Sequence, residues 1–239
     1  MTILHFFGDS WSAEPGEYES IASRTLTPEE FAKVESYPKM VSKFLNIPYK
    51  NHSVQGSSIA HMIPQLLNSG ITSGDCAIFS LTAPSRSFYY NSSGTAIHQR
   101  AYEQLNQKTV NHFNVGWMSA WSCYTLYKLC QDQNINGWFM PLFDVPYQAD
   151  YHHELWDRIP EDCWIIPKTS CVTKLFDPEY FSQWETYRNS NFHEWLATNN
   201  AQVKTYIRPC QDHPNILGRR LIADTIISKL SASCNTAAG

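Results

Sequence analysis

The chain is 239 residues long, and its 18 Lys and Arg against 22 Asp and Glu give a net charge of −4. That balance excludes nucleic-acid binding through bulk charge, while leaving room for a local cationic site. No apolar run approaches the roughly 18 residues of a membrane-spanning helix. A content of 43% hydrophobic and 14% aromatic residues is that of a globular chain able to bury a core without a disulfide or metal staple.

Ile3 to Phe7 is an apolar run closed by Gly8, the pattern of a buried strand with a sharp exit. Residues 11–27 read as loop, and Thr27-Pro28-Glu29-Glu30 is a helix start with Thr as cap and Pro in the first turn. Pro38 predicts a break near Tyr37 and a second helix over 39–46. Residues 48–53 read as a weakly apolar edge strand. Gly56-Ser57-Ser58 opens a helix carrying Ile59, Ile63, Leu66 and Leu67. Residues 75–82 are the clearest central strand, followed by a Ser-, Tyr- and Asn-rich loop to about 97. A long helical region is expected over 98–132, with an aromatic face (Trp117, Trp121, Tyr124, Tyr127) turned to the core. Asn136-Gly137 then turns into a strand over 138–143. Residues 144–177, with Pro146, Pro160 and Pro167, read as an irregular insertion with short helical pieces. A helix over 178–199, a short strand over 202–207 and a last helix from Pro214 follow, with 231–239 as a disordered tail.

Strands alternating with helices predict an α/β fold with a parallel sheet covered on both faces, built as one domain over 1–230. In such a sheet, right-handed crossovers place reactive residues at the carboxyl ends of the strands. The seven cysteines stand at irregular spacings with no C-x-x-C, which argues against zinc ribbons and disulfide frameworks. The amino terminus has neither a basic n-region nor an h-region, so no signal peptide is expected. Together these point to a cytoplasmic protein with reduced thiols. His152 and His153, with Asp144, Asp150, Glu154 and Asp157, fit no ligand spacing and read as solvated loop. No metal is expected.

Gly8-Asp9-Ser10-Trp11 follows the first strand, where a Ser hydroxyl can be held at the sheet's carboxyl edge as a nucleophile. The same Asp-Ser pair also suits a plain turn. His213, in Cys210-Gln211-Asp212-His213-Pro214-Asn215, precedes the last helix at the same edge, so it can reach Ser10 as a base or stand as a polar loop residue.

Phe7-Gly8-Asp9-Ser10 and Asp212-His213-Pro214-Asn215 resemble the first and last motif blocks of the SGNH (GDSL-like) hydrolases. Asn51-His52-Ser53-Val54-Gln55-Gly56-Ser57-Ser58 is similar to the second block. The resemblance runs from about residue 3 to 230. It implies a three-layer α/β/α sandwich with a flavodoxin-like sheet, and ester hydrolysis without a cofactor. It makes Ser10 the nucleophile and His213 the base. The Ser10 and Gly56 N–H groups become the oxyanion hole, completed by an Asn side chain.

Two departures follow. Cys210 stands where the family has its Asp, three residues before the His, so either the adjacent Asp212 or a backbone carbonyl orients His213. The block after the third strand reads Thr82-Ala83-Pro84-Ser85-Arg86 and lacks the family's Asn, leaving Thr82 or Asn91 as substitutes. This variant resembles divergent SGNH-like proteins of bacteriophages. Arg86 is either a cation for an anionic substrate group or a loop salt bridge. Asp9, Trp11 and Asn91 join it as substrate-binding candidates. The expected activity is that of a serine esterase or deacylase on a small ester or an O-acetylated glycan. A non-catalytic or virion-associated binding protein on the same scaffold is the alternative, as is an acyltransferase using the same Ser-His pair.

Overall fold

In a computed structural model, the described residues are 2–13, 35–54, 57–82, 86–90, 96–100, 112–142, 154–176, 214 and 216–236. The helix start at Thr27, the helix over 178–199, the strand over 202–207 and the loop with His152 and His153 lie outside them. The chain divides into two compact units, one of Met1–Ala13 with Ile47–Cys171 and the other of Glu14–Asn46 with Val172–Gly239.

The first unit is an α/β fold built on a parallel sheet. Its strands are β1 (Leu4–Phe7), β2 (Tyr49–Asn51), β3 (Cys76–Leu81) and β6 (Asn136–Pro141), in the order β2-β1-β3-β6. Every residue of β1 and β3 is buried, which is why their sequences are continuous apolar runs rather than alternations. β2 is half-buried and lies at an edge, as its polar composition predicts. Phe7, Phe79 and Phe139 are register partners on neighbouring strands. Their rings stack, with centroids 5.1 and 5.2 Å apart. His52 continues the row beyond Phe7 at 4.9 Å, and Trp164 continues it beyond Phe139 at 5.6 Å. Trp164 also bridges to Phe139 in parallel, and the Ile165 N–H donates to the Phe139 carbonyl at 2.9 Å.

The helices α2 (Met62–Asn68) and α3 (His112–Asp132) pack into this ring-lined core through Met62, Leu66, Ala120, Cys123 and Leu126. The fully buried residues of α3 are small and aliphatic, and of the expected aromatic face Tyr124 and Tyr127 pack partly buried against the same core. Trp117 and Trp121 are 43% and 47% exposed and stack on each other, while Ala120, Cys123 and Cys130 face inward. At Cys130 the packing against β6 is tight, since a Cβ on Gly137 would stand 3.0 Å from the Cys130 Sγ, which leaves no room for a larger side chain there.

Several boundaries differ from expectation. α2 begins at Met62, because Pro64 is accommodated only in the first turn of a helix. The expected loop over 83–97 contains instead an antiparallel pair, β4 (Arg86–Tyr90) with β5 (Ala96–Arg100). Ser87-Phe88-Tyr89-Tyr90 carries strand propensity that the polar residues beside it mask. The described part of α3 therefore starts at His112, not at 98. The turn before β6 falls at Gln133-Asn134 rather than Asn136-Gly137. Asn134 takes φ 53°, the Asn134 N–H donates to the Gln131 carbonyl, and the Ile135 N–H donates to the Cys130 carbonyl, a Schellman stop that puts Asn136 and Gly137 inside the strand. The insertion holds two short 3-10 turns, Glu154–Trp156 and Glu161–Cys163.

The amino end of the sheet carries a buried polar knot. Asp75 accepts from the Ile3 N–H at 2.8 Å, the Thr72 N–H at 2.9 Å and the Thr72 hydroxyl at 2.8 Å. Burial alone would raise its pKa, but these donors and His5 together hold the carboxyl below its usual value.

In the second unit, α1 (Tyr37–Leu45) is capped by Ser36, whose Oγ accepts the Lys39 N–H, and ends at Asn46 in the left-handed region. Pro38 lies in its first turn, so the break expected near Tyr37 is the helix start. α4 (Val172–Phe176) is short, and α5 (Ile216–Thr236) packs on α1 with Ile222, Ala223, Ile226 and Leu230 buried. Ile216 and Leu217, expected on that stripe, are exposed. α5 is helical through Thr236, past residue 231 where the tail was expected to begin.

Candidate functional site

The loop leaving β1 is shaped by Gly8 and Asp9. A Cβ on Gly8 would lie 2.3 Å from the Ser12 Oγ and 3.1 Å from the Ser80 Cβ, so the chain turns here only without a side chain. Asp9 is fully buried. Its Oδ1 accepts the Trp11 N–H at 2.9 Å, and its carbonyl accepts the N–H groups of Ser12 and Ala13 at 3.0 and 3.1 Å. Residues 9–13 thus form one helical turn capped by Asp9, with Ser10 half-buried at its first position and Trp11 packed inside. Gly8→Ala should therefore cost about 1–3 kcal/mol of stability by overpacking. A denaturation midpoint equal to that of the parent would contradict this.

Asp9 Oδ2 accepts the Thr82 hydroxyl at 3.2 Å, tying this loop to the end of β3. Of the residues proposed from sequence, the structure thus joins Asp9 to Thr82 and places Ser10 and Trp11 beside Asp9. The Thr82 hydroxyl proton, expected to face an oxyanion, is directed at Asp9. Arg86 is the first residue of β4, in register with Arg100. Gly56, Asn91, Cys210, Asp212 and His213 lie outside the described residues.

Sequence reasoning missed the polar framework around this loop. Asn51 Nδ2 donates to the Ser12 carbonyl at 2.8 Å, and Asn51 Oδ1 accepts the Ser53 N–H at 3.1 Å. Ser57 Oγ and His61 Nδ1 are 3.2 Å apart, and the Ser58 Oγ accepts the His61 N–H. His5 Nδ1 lies 3.0 Å from His52 Nε2, with Asp75 3.7 Å from the other His5 nitrogen. Burial pushes the His52 imidazole below its usual pKa, helped by Lys50. The Asn51–Ser12 and His5–His52 contacts join residues 39 and 47 positions apart, so no local signal marks them. Among the described residues, no group of three or more His, Cys, Asp and Glu could hold a metal ion, and no helix is long and apolar enough to cross a membrane.

No protein-family model matches the chain, and no curated protein matches it by sequence. Solved structures do match it in fold, and they place it with parallel-sheet α/β proteins. An alpha/beta hydrolase enzyme from the metagenome of Lake Arreo, Spain, is 13% identical with a TM-score of 0.51, over 95% of this chain and 94% of that one. The YXIM protein of Bacillus subtilis is 10% identical with a TM-score of 0.50, over 97% of this chain and 56% of that one. An acetyl xylan esterase, AlAXEase, is 11% identical with a TM-score of 0.48, over 95% of this chain and 98% of that one.

Proposed function

We propose that the chain is an SGNH-type serine hydrolase acting on an ester, with a small ester or an O-acetylated glycan as substrate. One observation carries the reading. Gly8, Asp9 and Ser10 form a rigid turn at the carboxyl end of the interior strand β1, with Ser10 half-buried at its first position and Asp9 locked to Thr82. The order of the motif blocks and the α/β fold support it.

In this reading Ser10 Oγ attacks the ester carbonyl as His213 takes its proton, and the Ser10 and Gly56 N–H groups hold the oxyanion. The tetrahedral intermediate collapses, and His213 returns the proton to the leaving alcohol. Water, deprotonated by His213, then releases the acyl group. Asp212 or a backbone carbonyl orients the imidazole. Arg86 and Asn91 contact the substrate from the segment beyond β3. Thr82 would reach the oxyanion only by giving up Asp9. That commitment, with Cys210 at the family's Asp position, favours the second reading, a non-catalytic binding protein on the same scaffold.

The deciding experiment combines a fluorophosphonate probe with short-chain nitrophenyl esters. Labelling and turnover by the parent, falling at least about 10³-fold in both Ser10→Ala and His213→Ala, are the expected result. An inert parent supports the binding reading, and undiminished turnover by Ser10→Ala removes the nucleophile.

A further inference from the structure

Two loops carry the groups proposed above, residues 8–13 after β1 with Ser10 and residues 52–58 after β2 with Gly56. Four bonds organise this region, three of them between the β1 and β2 segments. These three run through the end of β2 and its continuation: the His52 N–H to the Phe6 carbonyl at 2.8 Å, the Val54 N–H to the Gly8 carbonyl at 3.0 Å, and Asn51 Nδ2 to the Ser12 carbonyl at 2.8 Å. The fourth, Asn51 Oδ1 to the Ser53 N–H at 3.1 Å, ties the same side chain to its own loop.

We propose that Asn51 is a positioning residue that fixes the Ser10 turn against the segment that follows β2. The inference rests on the reading above for its catalytic consequence, but not for the coupling itself. A carboxamide is suited to this task because one rigid plane holds both a donor and an acceptor. The donor takes the Ser12 carbonyl at the far end of the turn that Asp9 caps at its start, so that turn is held at both ends. The acceptor takes the Ser53 N–H in the segment after β2. Further along, the Ser57 N–H donates to the Val54 carbonyl at 3.0 Å, and Ser57 Oγ lies 3.2 Å from His61 Nδ1. Asn51 is thus the side chain whose two ends reach both loops. A carboxylate there would keep the bond to Ser53 and lose the one to Ser12. Displacing a reacting group or an oxyanion donor by about 1 Å is worth on the order of 100-fold in rate, with little effect on substrate binding.

The test uses Asn51→Asp, which removes only the donor, and Asn51→Ala, which removes both ends. Amide hydrogen exchange is followed on peptides covering 8–13 and 52–58, and kcat and KM are measured with nitrophenyl acetate. In Asn51→Asp, exchange in 8–13 should quicken about tenfold or more, while 52–58 stays near the parent. In Asn51→Ala both segments should quicken. In either variant kcat should fall about 10- to 100-fold with KM within about twofold. Should Asn51→Asp fail to fold, Asn51→Ser, which keeps an acceptor on a shorter arm, takes its place with the same expectations. Unchanged exchange in 8–13 overturns the proposal, and so does a loss carried by KM alone. A parent with no turnover whose variants still show the exchange pattern overturns the esterase reading and leaves the coupling standing. An active parent whose variants match it in both measurements overturns the coupling and leaves the esterase reading intact.

Discussion

Phe79→Ala should destabilise the protein by about 3–5 kcal/mol. Phe79 is fully buried at the centre of the sheet, on a strand flanked by β1 and β6. Its ring stacks on Phe7 on one side and Phe139 on the other, and a Cβ added at Gly137 would lie 3.9 Å from it. Truncation removes both stacking contacts and leaves a void that β-strands hydrogen-bonded on both edges cannot collapse to fill. The melting temperature should fall by about 6–20 °C, given roughly 2–4 °C per kcal/mol for a chain of this size. Phe79→Leu, which keeps most of the volume, should cost about 1–2 kcal/mol. Denaturant midpoints of the two variants check this. A loss below about 1 kcal/mol for Phe79→Ala would show that the ring row does not hold the sheet together.

The same row explains what was legible in the sequence. β1 and β3 announce themselves because both of their faces are buried, so neither needs polar alternation. β2 was recognisable as an edge from Lys50 and Asn51. The turn before β6 was misplaced because Asn136-Gly137 has stronger turn chemistry than Gln133-Asn134, yet the helix stop at Asn134 comes first and sets the register. The inward face of α3 differs in part from its hydrophobicity: Tyr124 and Tyr127 pack against the core, Trp117 and Trp121 are exposed, and the close approach of Gly137 requires a small side chain at Cys130. At the candidate site, Gly8 and Ser10 are local features and could be read directly. The Asp9–Thr82 and Asn51–Ser12 bonds join residues 73 and 39 positions apart, and only the strand order brings them together.

Stability should fall as pH drops from about 6.5 to 4, and His5 is the main cause. Its side chain is fully buried on β1, with His52 3.0 Å from Nδ1 and Asp75 3.7 Å from Nε2. Burial pushes its pKa down to about 4, the His52 and Lys50 charges add to the shift, and Asp75 opposes it. A histidine whose folded pKa lies below its unfolded value of about 6.5 binds its proton first in the unfolded chain. Its contribution is therefore complete above about pH 7, declines as the unfolded state protonates, and levels off once the folded state protonates near 4. His52, shifted in the same direction, adds to the slope. Asp75, held low by its three donors, keeps its charge through most of this window and loses its contribution only at more acid pH. Between pH 7.5 and 4.5 the loss attributable to His5 should be about 2–3 kcal/mol. Urea denaturation at both pH values, for the parent and for His5→Gln, measures it. The substitution lowers stability at pH 7.5, where the buried imidazole loses its partners, but the pH dependence is the decisive quantity. It should flatten by that amount in His5→Gln, and a variant as acid-sensitive as the parent would assign the sensitivity to other groups.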